Sequence, residues 1–151
     1  VSWGADFIDL NCGCPKDKIR KKSLGSRLLE NPERLYTLVS AIKKAVDVPV
    51  LVKIRVDHQS GDSYNKDVAQ AIESAGADAM TVHGRHWTDH YGIAVSYADI
   101  AFIKDLVKIP VIANGDIKDT ASAKKMFEET GCDALMIARA SVGQPWLFEQ
   151  I

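Results

Sequence analysis

The sequence predicts an α/β fold of the (β/α)8 barrel kind, present in part as about five βα units, and three observations predict it. One motif recurs: Gly4-Ala5-Asp6-Phe7-Ile8-Asp9-Leu10 is echoed by Gly76-Ala77-Asp78-Ala79-Met80-Thr81-Val82 and by Gly131-Cys132-Asp133-Ala134-Leu135-Met136-Ile137. A second pattern interleaves with it, in Val48-Pro49-Val50-Leu51-Val52 and Ile109-Pro110-Val111-Ile112-Ala113. Polar, chemistry-bearing residues follow the carboxyl end of each of these apolar runs. A doubly wound sheet accommodates the same alternation of elements, but only its switch-point ends meet. A barrel brings all strand ends to one face, so the third observation favours the barrel.

Each run is short, β-branched and bounded by Gly or Pro, as expected of strands buried on both faces of a parallel sheet. Helices lie between them. Asn31-Pro32 supplies an N-cap with Pro in the first turn. Leu35, Leu38, Val39, Ile42 and Val46 then recur at helical spacing. Val68, Ala69, Ile72 and Ala75 mark a second apolar face, and Ile100, Ile103, Leu106 and Val107 a third. Asp119 can cap a helix carrying Ala123, Met126 and Phe127. The expected order is β-α-β-α-β-α-β-α-β with a final short helix.

The strand ends read Asn11-Cys12-Gly13-Cys14-Pro15, Lys53-Ile54-Arg55, His83-Gly84-Arg85, Asn114-Gly115-Asp116 and Ala138-Arg139-Ala140. The last two suit a phosphate, because Gly115 permits close backbone approach and helix starts offer free N–H groups. Barrels often bind phosphate after strands seven and eight, which would make these strands four to eight. Lys53, just past an apolar run, would point into the barrel and need a partner there or lose its charge. His83 beside Gly84-Arg85 is a candidate ligand-binding group.

Composition narrows the alternatives. With 46% hydrophobic and 26% charged residues in 151, the chain can build one domain with a real core. No apolar run approaches the roughly 20 residues of a membrane-spanning helix. The net charge of −1 provides no global attraction to nucleic acid. The basic run Lys16-Asp17-Lys18-Ile19-Arg20-Lys21-Lys22 is a solvated loop or helix face, or a local RNA contact. Three cysteines make no disulfide framework and suit a reducing cytoplasm. Cys12 and Cys14 lack partners for a zinc site, so no metal is expected.

The segment Asp9-Leu10-Asn11-Cys12-Gly13-Cys14-Pro15 resembles the signature of the tRNA-dihydrouridine synthase family. Val52-Lys53-Ile54-Arg55, Thr81-Val82-His83-Gly84-Arg85, Ala113-Asn114-Gly115-Asp116-Ile117, Met136-Ile137-Ala138-Arg139-Ala140 and Pro145-Trp146-Leu147-Phe148 continue the resemblance in order. It implies an FMN enzyme, reduced by NADPH or NADH, that converts a tRNA uridine to 5,6-dihydrouridine by hydride delivery to C6 and proton delivery to C5. By the resemblance Cys14 is the proton donor and Cys12 is not. A cysteine thiol is mostly protonated at neutral pH and can donate. The resemblance further implies that Lys53, His83, Asn114, Gly115, Asp116, Ala138 and Arg139 hold the flavin nucleotide. Asn11 and Arg85 would contact uracil or nearby RNA, and Lys16, Lys18 and Arg20 the RNA phosphates.

The chain departs from the family pattern in three places. Lys22-Ser23-Leu24-Gly25-Ser26-Arg27 keeps one Gly in a loop usually rich in them, Trp87, Asp89 and His90 precede Tyr91 where a second Arg and a Gln are frequent, and Ala138 stands where Gly is common. A closed barrel takes about 250 residues. Residues 1–151 are therefore expected to be the later part of a barrel domain, without its first strands or the family's C-terminal helical domain. The start Val1-Ser2-Trp3-Gly4-Ala5-Asp6 reads as mid-domain. Such a piece would bind FMN weakly, reduce little tRNA, and could self-associate through its open sheet edges. Two other readings fit: another FMN barrel oxidoreductase, of the dihydroorotate or dihydropyrimidine dehydrogenase type, and a non-catalytic phosphate- or RNA-binding half-barrel.

Overall fold

The computed structural model describes residues 4–151, so Val1–Trp3 of the mid-domain run lie outside the described residues. In order, the elements are β1 (Ile8–Asn11), α1 (Asp17–Arg20), a 3₁₀ segment (Gly25–Glu30), α2 (Pro32–Ala45), β2 (Val50–Arg55), α3 (Asp62–Ser74), β3 (Ala79–His83), α4 (Tyr97–Leu106), β4 (Val111–Asn114), α5 (Thr120–Thr130), β5 (Ala134–Met136), a second 3₁₀ segment (Arg139–Ser141) and α6 (Leu147–Gln150). The five strands form one sheet in sequence order, each pair parallel. This is the expected succession of βα units in a partial barrel.

Local chemistry explains the helix boundaries. Asn31 Oδ1 accepts from Arg34 N–H at 2.9 Å, with Pro32 opening α2. Asp119 and Ser122 form a reciprocal capping box on α5, and Gly131 ends that helix at φ +63°. Strand boundaries shift from the sequence reading. β2 starts at Val50 and runs on through Lys53 to Arg55, because the ladder with β3 continues to the pair Arg55–His83. Lys53 therefore lies within a strand and not beyond its end. The short α1 and the 3₁₀ segment after it are additions to the expected pattern.

The sheet's two faces differ in chemistry. Val52, Ile54, Met80, Val82, Val111 and Ala113 are buried in one core with Leu35, Val39, Val68, Ile72, Ile100, Ile103 and Met126 of the helices. Because strand side chains alternate, the opposite face carries Asn11, Lys53 and Thr81 in one row and Arg55, His83, Asn114 and Met136 in the next.

The repeated Gly-x-Asp has a physical cause. Asp78 Oδ2 accepts from Val50 N–H at 2.7 Å and from Lys43, so it joins the approach to β3 to the first residue of β2. Asp133 Oδ2 does the same for β4, accepting from Val111 N–H at 2.7 Å and from Lys104 Nζ at 2.6 Å. Each carboxylate satisfies a strand-start donor and sets where two neighbouring strands begin.

Asp78→Ala and Asp133→Ala should each lower the unfolding free energy by about 1–3 kcal/mol, since a buried strand N–H loses its acceptor. The Asn variants, which keep an acceptor, should lose less. Urea unfolding followed by circular dichroism measures this; Ala variants as stable as the parent would contradict the role assigned to the repeat.

Candidate active site at the carboxyl ends of the strands

The row Arg55, His83, Asn114 and Met136 and the loops that follow the strands enclose a cavity of about 710 Å³, within the range of small-molecule and cofactor sites. Asn11, Cys14, Lys53, His83, Asn114, Gly115, Asp116, Ala138 and Arg139 all line it. Parallel strands of matched register bring these residues together from five separate stretches of sequence.

The cavity is cationic. Lys53 Nζ donates to Asn114 Oδ1 at 2.9 Å, and Asn114 Nδ2 donates to the Met136 carbonyl at 2.8 Å. The Lys53 amine is pushed down from 10.5 to about 8, chiefly by burial, with the Arg55 charge adding and Asp9 opposing. Burial, with the charges of Arg55, Lys53, Arg85 and Arg139, pushes His83 down to about 3, so it is a neutral imidazole at physiological pH. A half-buried cation whose partner is a neutral amide favours an anionic group in the cavity.

Gly115 is required by packing. Its φ is +125°, and a Cβ there would sit 2.4 Å from Val95 Cγ1 and 3.0 Å from His83 Cδ2. Asp116 follows at φ +52°, an uncommon conformation for a side-chain-bearing residue. Its carboxylate lies 2.6 Å from Arg85 Nη2 and 3.6 Å from Arg139 Nη2. Ala138, where Gly is common in the family pattern, has φ −119° and ψ −99°, outside the ordinary strand and helix regions.

Cys14 sits at the cavity on a loop tied at successive peptides. Asn11 Oδ1 accepts from Gly13 N–H at 3.1 Å, Arg55 Nε donates to the Gly13 carbonyl at 2.9 Å, and Ser26 N–H donates to the Cys14 carbonyl at 3.0 Å. Cys12 is fully buried in the core, and burial together with Asp9 pushes its thiol up to about 12. Of this pair, Cys14 is the thiol that reaches the cavity.

Two residues expected to contact RNA are held by partners within the chain. Arg85 is 1% exposed and does not line the cavity; its guanidinium binds Asp116, the Ile93 carbonyl at 2.6 Å and the Tyr91 carbonyl at 3.2 Å. The β3–α4 loop folds over it and leaves Nη1 without a hydrogen-bond partner among the described residues. Arg20 is also held inward, by Ser26, Glu30 and the Trp87 ring. Lys16 and Lys18 are exposed and outside the cavity lining.

Among the cavity residues that the sequence pattern does not single out for the site are Tyr91 and Arg55. Tyr91 lies at the rim with its ring 3.9 Å from the Arg139 guanidinium carbon. Arg55, noted only as part of a strand end, bridges the Gly13 carbonyl to the His86 carbonyl at 3.0 Å. Its position in a buried strand was the available sign, since such an arginine needs paired acceptors.

The family model for dihydrouridine synthase (Dus) matches residues 1–151. The chain belongs to the dihydrouridine synthase family. It is 44% identical over 151 residues to tRNA-dihydrouridine synthase B of Pseudomonas aeruginosa and 43% identical to that of Klebsiella pneumoniae. All of this chain is covered, but only 46% and 47% of those proteins, so it spans about half the length of the curated relatives it matches. Among solved structures, DHODH of Eimeria tenella in complex with ferulenol superposes with a TM-score of 0.72 at 16% identity. That match covers 97% of this chain and 48% of the other, and it shows a shared fold. No helix among the described residues is long and apolar enough to cross a membrane.

Folding lowers the Lys53 pKa, so the unfolded chain holds that proton more tightly and stability rises as pH climbs from about 8 to 10.5. Lys53→Met should stabilise the chain at pH 7 by on the order of 1 kcal/mol or more, a gain that disappears near pH 10.5. Urea unfolding at the two pH values measures it; an equal effect at both would contradict a desolvated ammonium.

Proposed function

We propose that this chain supplies the flavin-binding and catalytic face of a tRNA-dihydrouridine synthase, which reduces a uridine base in tRNA to 5,6-dihydrouridine. The observation that carries the reading is the position of Cys14 on the same cavity as Lys53, His83, Gly115 and Arg139. The family match and the names of its relatives support the substrate class.

The residues present fit FMN. The cavity has the size for it, and its cations suit both a phosphate and an electron-rich ring edge. Lys53 would hold the pyrimidine edge and His83, as a neutral donor or acceptor, the neighbouring region. Gly115, Asp116, Ala138 and Arg139 would surround the ribityl phosphate, with Asn114 holding Lys53 in place. Bound FMN, reduced by NADPH or NADH, would supply the hydride for C6 of the uracil. Cys14 would deliver the proton to C5. The thiol is placed for this by a strand-end loop held at Gly13 and at Cys14 itself.

A base within folded tRNA must leave its stack to enter such a cavity. Asn11, whose amide Nδ2 faces no partner among the described side chains, would orient it. Lys16 and Lys18, exposed just after Cys14, would meet phosphates. Residues 1–151 would form the later strands of the barrel domain. Among the described residues the outer strands β1 and β5 each pair on one side, which supports completion by further strands or by a second copy.

In the FMN-loaded whole barrel, Cys14→Ala should keep the yellow cofactor and lose about 10²-fold or more in uridine reduction, the scale of a removed general acid. Reoxidation of reduced flavin by unmodified tRNA measures the step, with free dihydroorotate as the comparison. Full turnover in the variant would remove Cys14 from its role, and flavin exchange with dihydroorotate instead of tRNA would overturn the substrate class.

A further inference from the structure

Cys14 is tied to a part of the molecule that the proposed reaction does not use. Ser26 N–H donates to the Cys14 carbonyl at 3.0 Å, and Ser26 Oγ accepts from Arg20 Nη1 at 2.9 Å. Arg20 Nη2 reaches Glu30 Oε1 at 2.7 Å. The guanidinium carbon lies 3.5 Å from the centroid of the Trp87 ring, in the loop between β3 and α4. The Arg20 side chain is only 9% exposed, so this stack is largely desolvated.

A second arginine reaches the same loop from the strand side. Arg55 Nε donates to the Gly13 carbonyl and Nη1 to the His86 carbonyl, at 2.9 and 3.0 Å. His86 and Trp87 thus anchor two arginines: Arg55 bonds the Gly13 carbonyl directly, and Arg20 reaches the Cys14 carbonyl through Ser26. The anchor is itself fixed, since His86 N–H donates to Asp89 Oδ2 at 2.8 Å and the His86 ring lies 3.5 Å from Asp57. Packing closes the remaining space: at φ +59°, a Cβ on Gly25 would lie 2.6 Å from the Cys14 carbonyl oxygen. The one glycine kept in this loop is the one that lets it press against Cys14.

We propose that Arg20 and Trp87 are positioning residues for Cys14: their stack, acting through Ser26, holds the thiol-bearing loop against the β3–α4 loop. Neither touches the cavity. The inference rests on the reading of Cys14 as the proton donor for its consequence in catalysis, and on geometry alone for its consequence in loop mobility. Trp87 stands in the stretch where this chain departs from the family pattern, and Arg20 belongs to the basic run Lys16 to Lys22. The stack supplies an order that glycine-rich versions of the loop would have to obtain elsewhere.

The test is the rate of Cys14 alkylation by iodoacetamide under native conditions, read site by site by mass spectrometry, with buried Cys132 as the internal reporter of global opening. Trp87→Ala and Arg20→Ala should each raise the Cys14 rate about threefold or more, the scale of losing one desolvated cation–π contact or charge-assisted hydrogen bond, while Cys132 stays unchanged. Trp87→Phe, which keeps an aromatic face, should restore most of the protection. Ser26→Ala removes only the hydroxyl link and should raise the Cys14 rate with the fold intact, even where the larger truncations unfold the chain. In the whole enzyme, Trp87→Ala should lower kcat with KM held. An unchanged Cys14 rate in Ser26→Ala and Trp87→Ala, or a parallel rise at Cys132, would overturn the proposal. The alkylation result does not depend on whether Cys14 donates a proton, so it fails or succeeds separately from the functional reading.

Discussion

The site depends on the parallel register of the sheet. Lys53 opposite Thr81, Arg55 opposite His83 and His83 opposite Asn114 are backbone pairings, and they decide which side chains share a face. A one-residue slip of β2 would carry Lys53 and Arg55 into the apolar core beside Ile72 and Ile100 and turn Val52 and Ile54 toward the cavity. The carboxylates of Asp78 and Asp133 oppose such a slip at the other end of the strands, by taking the first N–H of β2 and of β4. Elements at the amino ends of the strands thus fix the chemistry at the carboxyl ends.

That arrangement concentrates positive charge. Lys53, Arg55 and Arg139 face one cavity, and the nearby carboxylate of Asp116 is already engaged by Arg85. The consequences are a lysine with a lowered pKa and a histidine kept neutral. Both results come mainly from burial, and both prepare the cavity for an anion. Arg85 contributes from behind: fully buried, it holds Asp116 in a left-handed conformation and grips the loop that presents Tyr91.

Much of the fold was legible because its determinants are local. Asn31-Pro32, Asp119 and Gly131 mark helix ends within a turn of where they act, and the alternation of apolar runs with amphipathic stretches sets the topology. The cavity lining was legible for a related reason: in a parallel sheet the carboxyl ends of all the strands lie along one end, whatever lies between strands. The arginines were not legible. What Arg20 and Arg85 bind is decided by Trp87, Glu30, Asp116 and two loop carbonyls, brought close only by folding. A basic residue beside a candidate site looks the same in sequence whether it faces RNA or braces a loop. The four-residue α1 carries no side-chain cap and too few residues for a periodic apolar face.

The central claim is that Lys53, His83, Gly115 and Arg139 form one binding cavity at the carboxyl ends of the strands. It is tested most directly by titrating FMN into the isotopically labelled chain and following backbone amide resonances. The account predicts that these four amides shift along a single saturable isotherm while Val50, Ala79 and Val111, at the opposite ends of their strands, stay in place. Shifts that saturate at Val50, Ala79 and Val111, or that leave the four cavity residues unmoved, would contradict it.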